Sequence, residues 1–431
     1  MTKIDAKYIF VTLKRGFAVI QSLPGFKDIL PNETRKWQFV ENICRDIFES
    51  FAYQEIRVPI LEKSQLFSRS VGNDTDIVQK EMYTFKDKSG QFVTLRPEGT
   101  ACVVRALIQH HLIHEGMHKF YYIAPMFRYE RPQRGRFREF HHLGVEAFGE
   151  FSSYVDAEIM EMNVEILKRL NMDVRVEINN IGCRKCRPSY TKVLREYLMG
   201  KKELLCEDCQ RRLDTNPLRI LDCKKESCKK ITAFAPSILD YSCDECRNHF
   251  NEVQRLLSKM NIDFVVNEKI VRGLDYYTKF VFEVISDKLG AQGTVSAGGR
   301  YNDLVEDLGG SPTPACGFAA GEERVIELFD YKEDDKFVDA VVIPVGKDTS
   351  DFSFLLTGDL RKEGFKVEFI SSGSLKSALR KANKWKAKWV LIIGDEEIKE
   401  NTVSLRDLEK SVQKKVKVEN IISIIRQGLN E

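Results

Sequence analysis

The segment 127–149, FRYERPQRGRFREFHHLGVEAFG, constrains the fold of this chain more than any other stretch. It has apolar residues at both ends and a basic middle, which predicts a strand, a charged loop and a returning strand. The loop carries Arg131, Arg134, Arg136 and Arg138. A planar guanidinium group can bind two phosphate oxygens at once, so this loop could hold a phosphorylated ligand. The alternative is a solvated charged hairpin.

The length and composition narrow the class of protein. A chain of 431 residues suggests two or three domains, and 43% hydrophobic with 30% charged residues describes an ordinary globular protein. The net charge of +3 neither requires nor excludes nucleic acid, so a local basic patch would have to bind it. No run of eighteen apolar residues and no signal-peptide pattern is present, so we expect no membrane span and a cytoplasmic location.

Patterns typical of an antiparallel α+β domain stand on both sides of a cysteine-rich segment. Before it we predict a helix around 37–51, a strand at IRVPIL (56–61) that is interrupted at Pro59 and so suits an edge or an end of a strand, a hairpin over 82–100, a helix over 100–114 and a strand over 120–126. After it the pattern returns with VRGLDYYTKFVFEV, TVSAGGRYNDLV and GFAAGEERVIEL.

Near residue 334 the pattern changes. Strands at 338–345, 366–370 and 389–393 alternate with helices at 352–363, 375–385 and near 419. Alternation of this kind predicts βαβ units, a mostly parallel sheet and a separate C-terminal α/β domain of about a hundred residues.

Eight of the eleven cysteines lie close together in four short pairs. They are Cys183, Cys186, Cys206, Cys209, Cys223, Cys228, Cys243 and Cys246. In a large cytoplasmic protein such clustering favours metal over disulfides, and these thiols would supply one or two tetrahedral zinc sites. Four thiolates leave no open coordination position, so the role would be structural. Free thiols are the alternative.

Five matches, in the right order along the chain, carry a family resemblance. PGFKDILP with a long helix and IRVPILE, then TLRPEGTA, FRYERP and GFAAGEER, resemble the three motifs of class II aminoacyl-tRNA synthetases; RGLDYY and AGGRYNDLV resemble signatures of the histidyl-tRNA synthetases. The resemblance implies a catalytic domain with an antiparallel sheet (23–181 and 256–332), an inserted Cys-rich, mainly helical domain (182–255) and an α/β anticodon-binding domain (335–431). Residues 1–22 would be an extension of unknown role.

The same resemblance implies an activity. The enzyme would activate L-histidine with ATP and Mg²⁺, release pyrophosphate and transfer histidine to tRNA(His) as a homodimer. No covalent enzyme intermediate is needed, so positioning and charge stabilisation would supply the catalysis. The basic residues of the insert would suit the tRNA acceptor arm, and those of 376–388 the tRNA backbone, although solvated charge is the alternative.

By the same resemblance, each motif supplies named site residues. The catalytic residues would be Arg272 and Arg128. The ATP-binding residues would be Arg128, Glu130, Arg136 and Arg324. The histidine-binding residues would be Glu98, Gly99, Thr100, His142, Glu146, Tyr276 and Tyr277. Each arginine could instead form an ordinary ion pair, and Arg272 in particular could pair with Asp275.

Two positions depart from the family pattern: His142 stands where glutamine is usual, and Asn302 where aspartate is usual. A neutral imidazole could still accept a hydrogen bond there, whereas a protonated one would repel the substrate ammonium. One rival reading is a non-catalytic, synthetase-like regulatory or histidine-sensing protein, which we would expect to lack the catalytic arginines and the C-terminal domain. The other rival reading is a zinc-ribbon nucleic-acid-binding protein, and this reading leaves most of the chain unexplained.

Overall fold

The computed structural model of the protein describes residues 20–72, 75–133, 135–331 and 338–427, and these form two compact units, one up to Tyr331 and one from residue 338 onward. Most of the predicted N-terminal extension, and Arg134 of the basic loop, lie outside the described residues. Within the described ranges, no helix has the length and apolar character needed to cross a membrane.

The first unit alternates helices with short and long strands. Its helices are α1 (Pro31–Ser50), α2 (Ser64–Ser70), α3 (Thr100–Gln109), α4 (Ser153–Arg169), α5 (Arg187–Met199), α6 (Glu207–Thr215), α7 (Glu226–Thr232), α8 (Asp244–Lys259), α9 (Leu304–Asp307) and α10 (Glu322–Leu328). Its strands are β1 (Gln54–Glu55), β2 (Leu61–Lys63), β3 (Thr84–Lys86), β4 (Phe92–Leu95), β5 (Lys119–Phe127), β6 (Glu139–Phe148), β7 (Arg175–Asn180), β8 (Val265–Val266), β9 (Thr278–Ile285), β10 (Thr294–Arg300) and β11 (Ala315–Gly321).

Shorter helical turns fill some of the connections in this unit. They are a π-helix at Ile77–Glu81 and 3₁₀ turns at Lys202–Leu204, Pro217–Ile220, Leu239–Tyr241 and Asp287–Gln292.

An eight-stranded sheet in the order β1-β5-β6-β11-β10-β9-β7-β8 forms the centre of this unit. Its five inner pairings are antiparallel, and only the pairings of β1 with β5 and of β7 with β8 at the two edges are parallel. The predicted strand, basic loop and returning strand are confirmed as β5 and β6. Their register places Phe120 opposite Glu146 and Phe127 opposite Glu139.

The interruption predicted at Pro59 is present, and it is wider than predicted: β1 ends before IRVPIL, and β2 begins only at Leu61. Pro59 has no N–H to donate to a ladder. One local prediction was wrong. The helix expected over 100–114 ends at Gln109, and His111 has a left-handed φ of 53°, which an α-helix cannot accommodate. The predicted hairpin is confirmed as β3 and β4, which join β2 in a three-stranded sheet.

The main core lies where helices cover the central sheet. Helix α1 buries Trp37, Val40 and Ile47, three of the residues whose spacing predicted its apolar face. Phe250 and Val253 of α8 belong to the same core cluster as α1 and α4. The predicted end of the insert at residue 255 therefore falls inside a helix that packs into this main core.

The insert itself is mainly helical, as predicted. Helices α5 to α7 and the turn Pro217–Ile220 pack together, and Leu194, Leu213 and Ile220 belong to one apolar cluster. That cluster also contains Tyr276 and Tyr277. The insert thus shares a core with the segment that carries the RGLDYY motif.

The second unit contains one five-stranded sheet. Its strands are β12 (Ala340–Val345), β13 (Val367–Phe369), β14 (Trp389–Gly394), β15 (Thr402–Asp407) and β16 (Val412–Lys417), and its helices are α11 (Ser350–Lys362), α12 (Leu375–Lys384), α13 (Asp395–Lys399) and α14 (Ile421–Gln427). A 3₁₀ turn at Val418–Asn420 precedes α14. Strands β13, β12 and β14 are parallel, as predicted, whereas β15 and β16 form an antiparallel hairpin that we did not predict. Strand β16 is largely exposed and lysine-rich, so it lacks the apolar run that marks a buried strand.

Candidate active site

The residues predicted to bind or activate the substrates lie together at one pocket on the central sheet. It has a volume of about 210 Å³. Its wall contains every residue predicted to bind or activate the substrates except Glu146, namely Glu98, Gly99, Thr100, Arg128, Glu130, Arg136, His142, Arg272, Tyr276, Tyr277 and Arg324. Glu146 lies directly behind the wall, where it accepts a hydrogen bond from Thr100. Residues far apart in the sequence therefore meet in one site.

Two buried carboxyl groups form one end of the pocket. Glu146, on β6, accepts hydrogen bonds from Thr100 Oγ1 at 2.7 Å, from Tyr122 at 3.2 Å and from Tyr301. Burial raises the pKa of Glu146 to about 8, although these three hydrogen bonds oppose the rise. Neither Tyr122 nor Tyr301 was predicted. For Tyr301 the signal was its place in the AGGRYNDLV motif.

Glu98 is the second carboxyl group, at the start of α3. It accepts hydrogen bonds from the backbone N–H groups of Thr100 at 2.9 Å and Ala101 at 2.8 Å. The hydroxyl of Tyr276 donates to it at 3.3 Å. Burial raises the pKa of Glu98 as well, against these hydrogen bonds. The helix start thus fixes this carboxylate before any substrate arrives.

A glycine on the neighbouring strand makes room for Glu146. Gly317 of β11 lies opposite Glu146 in the register. A Cβ atom at Gly317 would stand 2.2 Å from Glu146 Oε2, closer than any real contact allows. Gly317, which belongs to the GFAAGEER motif, therefore leaves space for the carboxyl group of Glu146 on β6. The sequence did not indicate this role.

His142 is half-buried in the pocket wall beside Phe140, with ring centroids 5.1 Å apart. Burial, followed by the positive charges of Arg128 and Arg324, lowers the pKa of His142 to about 3. The imidazole is therefore neutral at physiological pH, and its Nδ1 has no hydrogen-bond partner among the described atoms. The repulsion that a protonated ring would exert on an ammonium group does not arise.

The basic loop and the start of α10 build the other end of the pocket. Arg128 Nε donates to the carbonyl of Pro97 at 2.8 Å, and its guanidinium lies 5.2 Å from the centroid of the Phe140 ring. Arg136 forms an ion pair with Glu130 at 2.5 Å. Arg324 donates to the carbonyl of Thr294 and, at 3.3 Å, to that of Gly135.

Arg272 is held by a residue that sequence reasoning missed. Its guanidinium forms an ion pair with Glu283 and lies 5.6 Å from the centroid of the Tyr277 ring. Asp275, the partner that we had considered, accepts instead from Asn216 Nδ2 at 2.9 Å. The signal for Glu283 was an acidic residue within the apolar strand FVFEV, because a charge in a largely buried strand needs a partner.

The side chain of Asn302, the other departure from the family pattern, bonds within the fold. Its side-chain oxygen accepts from the backbone N–H of Ala315 at 3.2 Å and from Arg300 Nη1 at 3.4 Å. It does not line the pocket.

The eight clustered cysteines separate into two groups of four. The outer quartet consists of Cys183, Cys186, Cys243 and Cys246, and the inner quartet of Cys206, Cys209, Cys223 and Cys228. Within each quartet all sulfur atoms lie within 4.8 Å of one another, and measured Sγ–Sγ separations run from 3.6 to 3.9 Å. A tetrahedron with metal–sulfur bonds of 2.3 Å has edges of about 3.8 Å. Each quartet therefore fits one metal ion.

Comparison with known proteins places this architecture in a family. The family model described as histidyl-tRNA synthetase matches residues 25–325, and the one described as anticodon binding domain matches residues 339–428. The chain belongs to the histidyl-tRNA synthetase family. The predicted fold class, with its antiparallel catalytic sheet and C-terminal anticodon-binding domain, is thereby confirmed.

Individual relatives agree with this family assignment. The histidine–tRNA ligase of Thermodesulfovibrio yellowstonii is 48% identical over 412 residues, which cover 94% of this chain and 98% of the relative. That of Caldanaerobacter subterraneus subsp. tengcongensis is 45% identical over 409 residues, with coverage of 93% and 98%. The crystal structure of apo S. aureus histidyl-tRNA synthetase is 30% identical with a TM-score of 0.80, and covers 95% of this chain and all of that one.

Proposed function

We propose that this member of the histidyl-tRNA synthetase family is a histidine–tRNA ligase that forms histidyl-adenylate from L-histidine and ATP and transfers the histidyl group to tRNA(His). One observation carries the proposal. A single pocket has one buried carboxyl group in its wall and a second directly behind it at one end, and a group of arginines at the other, which suits an amino acid beside a nucleotide. The rival regulatory protein would be expected to lack these arginines.

At the phosphate end, the histidine carboxylate attacks the α-phosphorus of ATP in line, and pyrophosphate leaves. Arg128 binds the α-phosphate, and Arg272 bridges the attacking carboxylate and that phosphate, where negative charge accumulates. Arg324 and Arg136 bind the departing phosphates, and Glu130 accepts from the adenine amino group. Bound Mg²⁺ supplies further neutralisation of the phosphate oxygens.

At the histidine end, buried polar groups match the substrate. Glu146 accepts from one imidazole N–H, and a hydroxyl of Tyr276 or Tyr277 serves the other ring nitrogen. Glu98 and Thr100 hold the substrate ammonium, and the neutral ring of His142 lies beside it without repulsion. Because an arriving N–H donor favours the ionised form of Glu146, binding would lower its raised pKa.

Each cysteine quartet holds one structural zinc ion in this proposal. All four ligand positions are occupied by protein sulfur, so neither ion takes part in the chemistry. Zinc is preferred because tetrahedral thiolate sets are typical of zinc sites in proteins without iron–sulfur chemistry.

Exposed apolar groups support the homodimer. The sheet of β2, β3 and β4 leaves Leu61, Phe85 and Phe92 about half exposed, at 45%, 47% and 58%. A cavity of about 870 Å³, lined by 54–59 and by part of α3, lies in the same unit. Apolar surface of this kind is typical of a protein contact, and a second copy would cover it.

Basic surfaces in both units would contact tRNA in the cytoplasm. Exposed residues on and after α12 form a stripe made of Lys376, Arg380, Lys381, Lys384 and Lys386. In the insert, Lys225 and Lys230 are exposed, whereas Arg187 and Arg212 bond within the fold. The stripe and the two lysines suit the phosphate backbone, which any basic side chain can neutralise.

Histidine-dependent ATP–pyrophosphate exchange tests the proposal. We expect exchange with histidine alone among the amino acids, and a loss of at least about 100-fold in Arg272→Ala. Arg255→Ala is the matched control, since Arg255 forms an exposed ion pair with Glu252 on α8 and does not line the pocket. A folded wild-type protein that binds histidine but exchanges with no amino acid would favour the regulatory reading.

A further inference from the structure

The loop that carries Arg272 has little regular structure of its own. Residues 271–277, between β8 and β9, form neither helix nor strand. Asp275 N–H donates to the carbonyl of Val71, and the ion pair with Glu283 holds only the end of the Arg272 side chain. The position of this loop therefore depends on contacts from elsewhere in the fold.

The insert supplies two of those contacts from a single turn. Arg219 Nη1 donates to the backbone carbonyl of Arg272 at 3.0 Å. Asn216 Nδ2 donates to Asp275 Oδ1 at 2.9 Å. A Cβ atom on Gly273 would stand 3.0 Å from Arg219 Nη1, so the guanidinium is pressed against the loop backbone. The 3₁₀ turn Pro217–Ile220 thus holds the loop at two points.

This turn lies within the chain segment that the inner quartet closes. It follows Cys209 of α6 and precedes Cys223, and Cys228 of α7 completes the quartet. Cys209 and Cys228 are fully buried among the apolar residues that also surround Tyr276. A metal ion bound to the four sulfurs would hold the two ends of the segment together and fix the turn between them.

The outer quartet reaches the opposite end of the same loop. Arg187 follows Cys186 directly and donates to the carbonyl of Tyr277 at 2.5 Å. It also donates to the carbonyls of Ile181 and Gly182. Contacts anchored near each quartet therefore bracket the loop.

We propose that the inner quartet is a positioning device for the catalytic loop: the metal ion fixes the turn Pro217–Ile220, and Arg219 and Asn216 hold the loop so that Arg272 is aimed at the reacting groups. This inference rests on the proposed function, because it assigns Arg272 to the activation step. Arg219 is a positioning residue, since it lines a neighbouring cavity and does not line the substrate pocket.

Substitution of Arg219 tests the contact. Arg219→Ala is expected to lower kcat of histidine-dependent pyrophosphate exchange about 10- to 100-fold, because small displacements of a catalytic group have effects of this size, while KM for ATP stays within about threefold. Arg219→Lys, which keeps one donor, should recover part of the loss. The control Arg195→Ala breaks an exposed ion pair with Asp214 in the same insert and should leave the rate near that of the wild type.

Hydrogen exchange provides a readout that does not require activity. Amides of 271–277 should exchange faster in Arg219→Ala than in Arg195→Ala, as measured by mass spectrometry. Equal exchange and equal kcat in the two variants would overturn the proposal. If the wild type exchanges no pyrophosphate with histidine, the proposed function fails, and the hydrogen-exchange comparison still decides whether the turn holds the loop.

Zinc itself is the probe for the quartet. The wild type should contain about two zinc ions per chain, and Cys223→Ser about one, by elemental analysis. The variant should show faster exchange both at the turn Pro217–Ile220 and at 271–277. If Cys223→Ser does not fold, stepwise release of zinc from the wild type with a thiol-directed mercurial replaces it. Loss of the zinc ion from the inner quartet without faster amide hydrogen exchange at 271–277 would overturn the proposed link between the quartet and the loop.

Discussion

The two ends of the active-site pocket differ in how their charged side chains are held. The histidine end is a buried, hydrogen-bonded set in which Glu146 and Glu98 already have partners on several elements. The phosphate end consists of cations paired with carboxylates or backbone carbonyls, as in Arg272 with Glu283 and Arg136 with Glu130. A buried polar set gives specificity because any mismatch leaves groups unpaired, whereas ion-paired cations can exchange their partners for phosphate.

The difference also concerns stability. Keeping two carboxyl groups in a buried site is unfavourable when they ionise, so the proposed histidine end would be selective at the expense of the unliganded fold. The arginines pair with carboxylates or with backbone carbonyls, which limits that cost at the phosphate end. Substitutions at the two ends should therefore differ in both activity and stability.

The largest effect is expected for Glu146→Gln. A glutamine has nearly the same shape but cannot supply a charged acceptor to the imidazole N–H, so kcat/KM for histidine should fall by about three to four orders of magnitude. KM for ATP should stay within about threefold, because the phosphate end is unchanged. Steady-state pyrophosphate exchange with each substrate varied measures both. Equal losses for histidine and ATP would remove the distinction between the ends.

The same substitution should make the unliganded protein increasingly more stable than the wild type as the pH rises. The folded state holds the Glu146 proton up to a pKa of about 8, whereas the unfolded chain releases it near 4.5. The stability that this proton contributes is present below pH 4.5 and is lost as the pH rises through 8. We expect the free energy of unfolding of Glu146→Gln, measured with urea, to increase relative to that of the wild type by roughly 2–4 kcal/mol between pH 5 and pH 8. A difference in unfolding free energy between the two proteins that stays constant with pH would contradict the raised pKa of Glu146.

At the phosphate end we expect a smaller effect for Glu283→Gln. The substitution removes the charge that holds Arg272 but leaves an acceptor oxygen in place, so the guanidinium is less well oriented and kcat should fall about tenfold. KM for histidine should change little. Pyrophosphate exchange measures this, with Glu252→Gln as the control on an exposed ion pair. A loss as large as that of Arg272→Ala would mean that Glu283 acts directly.

The smallest effect is expected for His142→Gln. The ring is neutral because its pKa is about 3, and glutamine is the usual family residue, so the exchange rate should change by less than about threefold. The pH profile between 6 and 8 should also be unchanged. A profile that loses an ionisation step on substitution would show that His142 titrates in the bound state.

Sequence reasoning predicted the local features of this protein well. The apolar spacing of α1, the alternation of β5 and β6, and the parallel strands β12 to β14 follow from short-range patterns, and the structure confirms them. The errors fall where a local pattern is incomplete. The helix predicted over 100–114 stops at Gln109, and the lysine-rich β16 is a strand because β15 offers it a partner.

The cysteines show the same division. Their spacing was enough to predict metal ligands, but four pairs can combine in several ways. The structure joins the first pair to the last and the second to the third, because α5 and α8 start side by side while α6 and α7 pack within the insert. No local signal records that choice.

The sequence by itself indicated which residues we propose as substrate-binding residues (the arginines, the two carboxylates and the tyrosines) and as metal ligands (the eight thiols), since motif and spacing are written along the chain. The tertiary structure alone decided their partners. Glu283 meets Arg272, Tyr301 meets Glu146, and Arg219 of the insert meets the backbone of the catalytic loop. Periodicity indicates which face a side chain occupies, but sheet order and helix packing decide what stands opposite it.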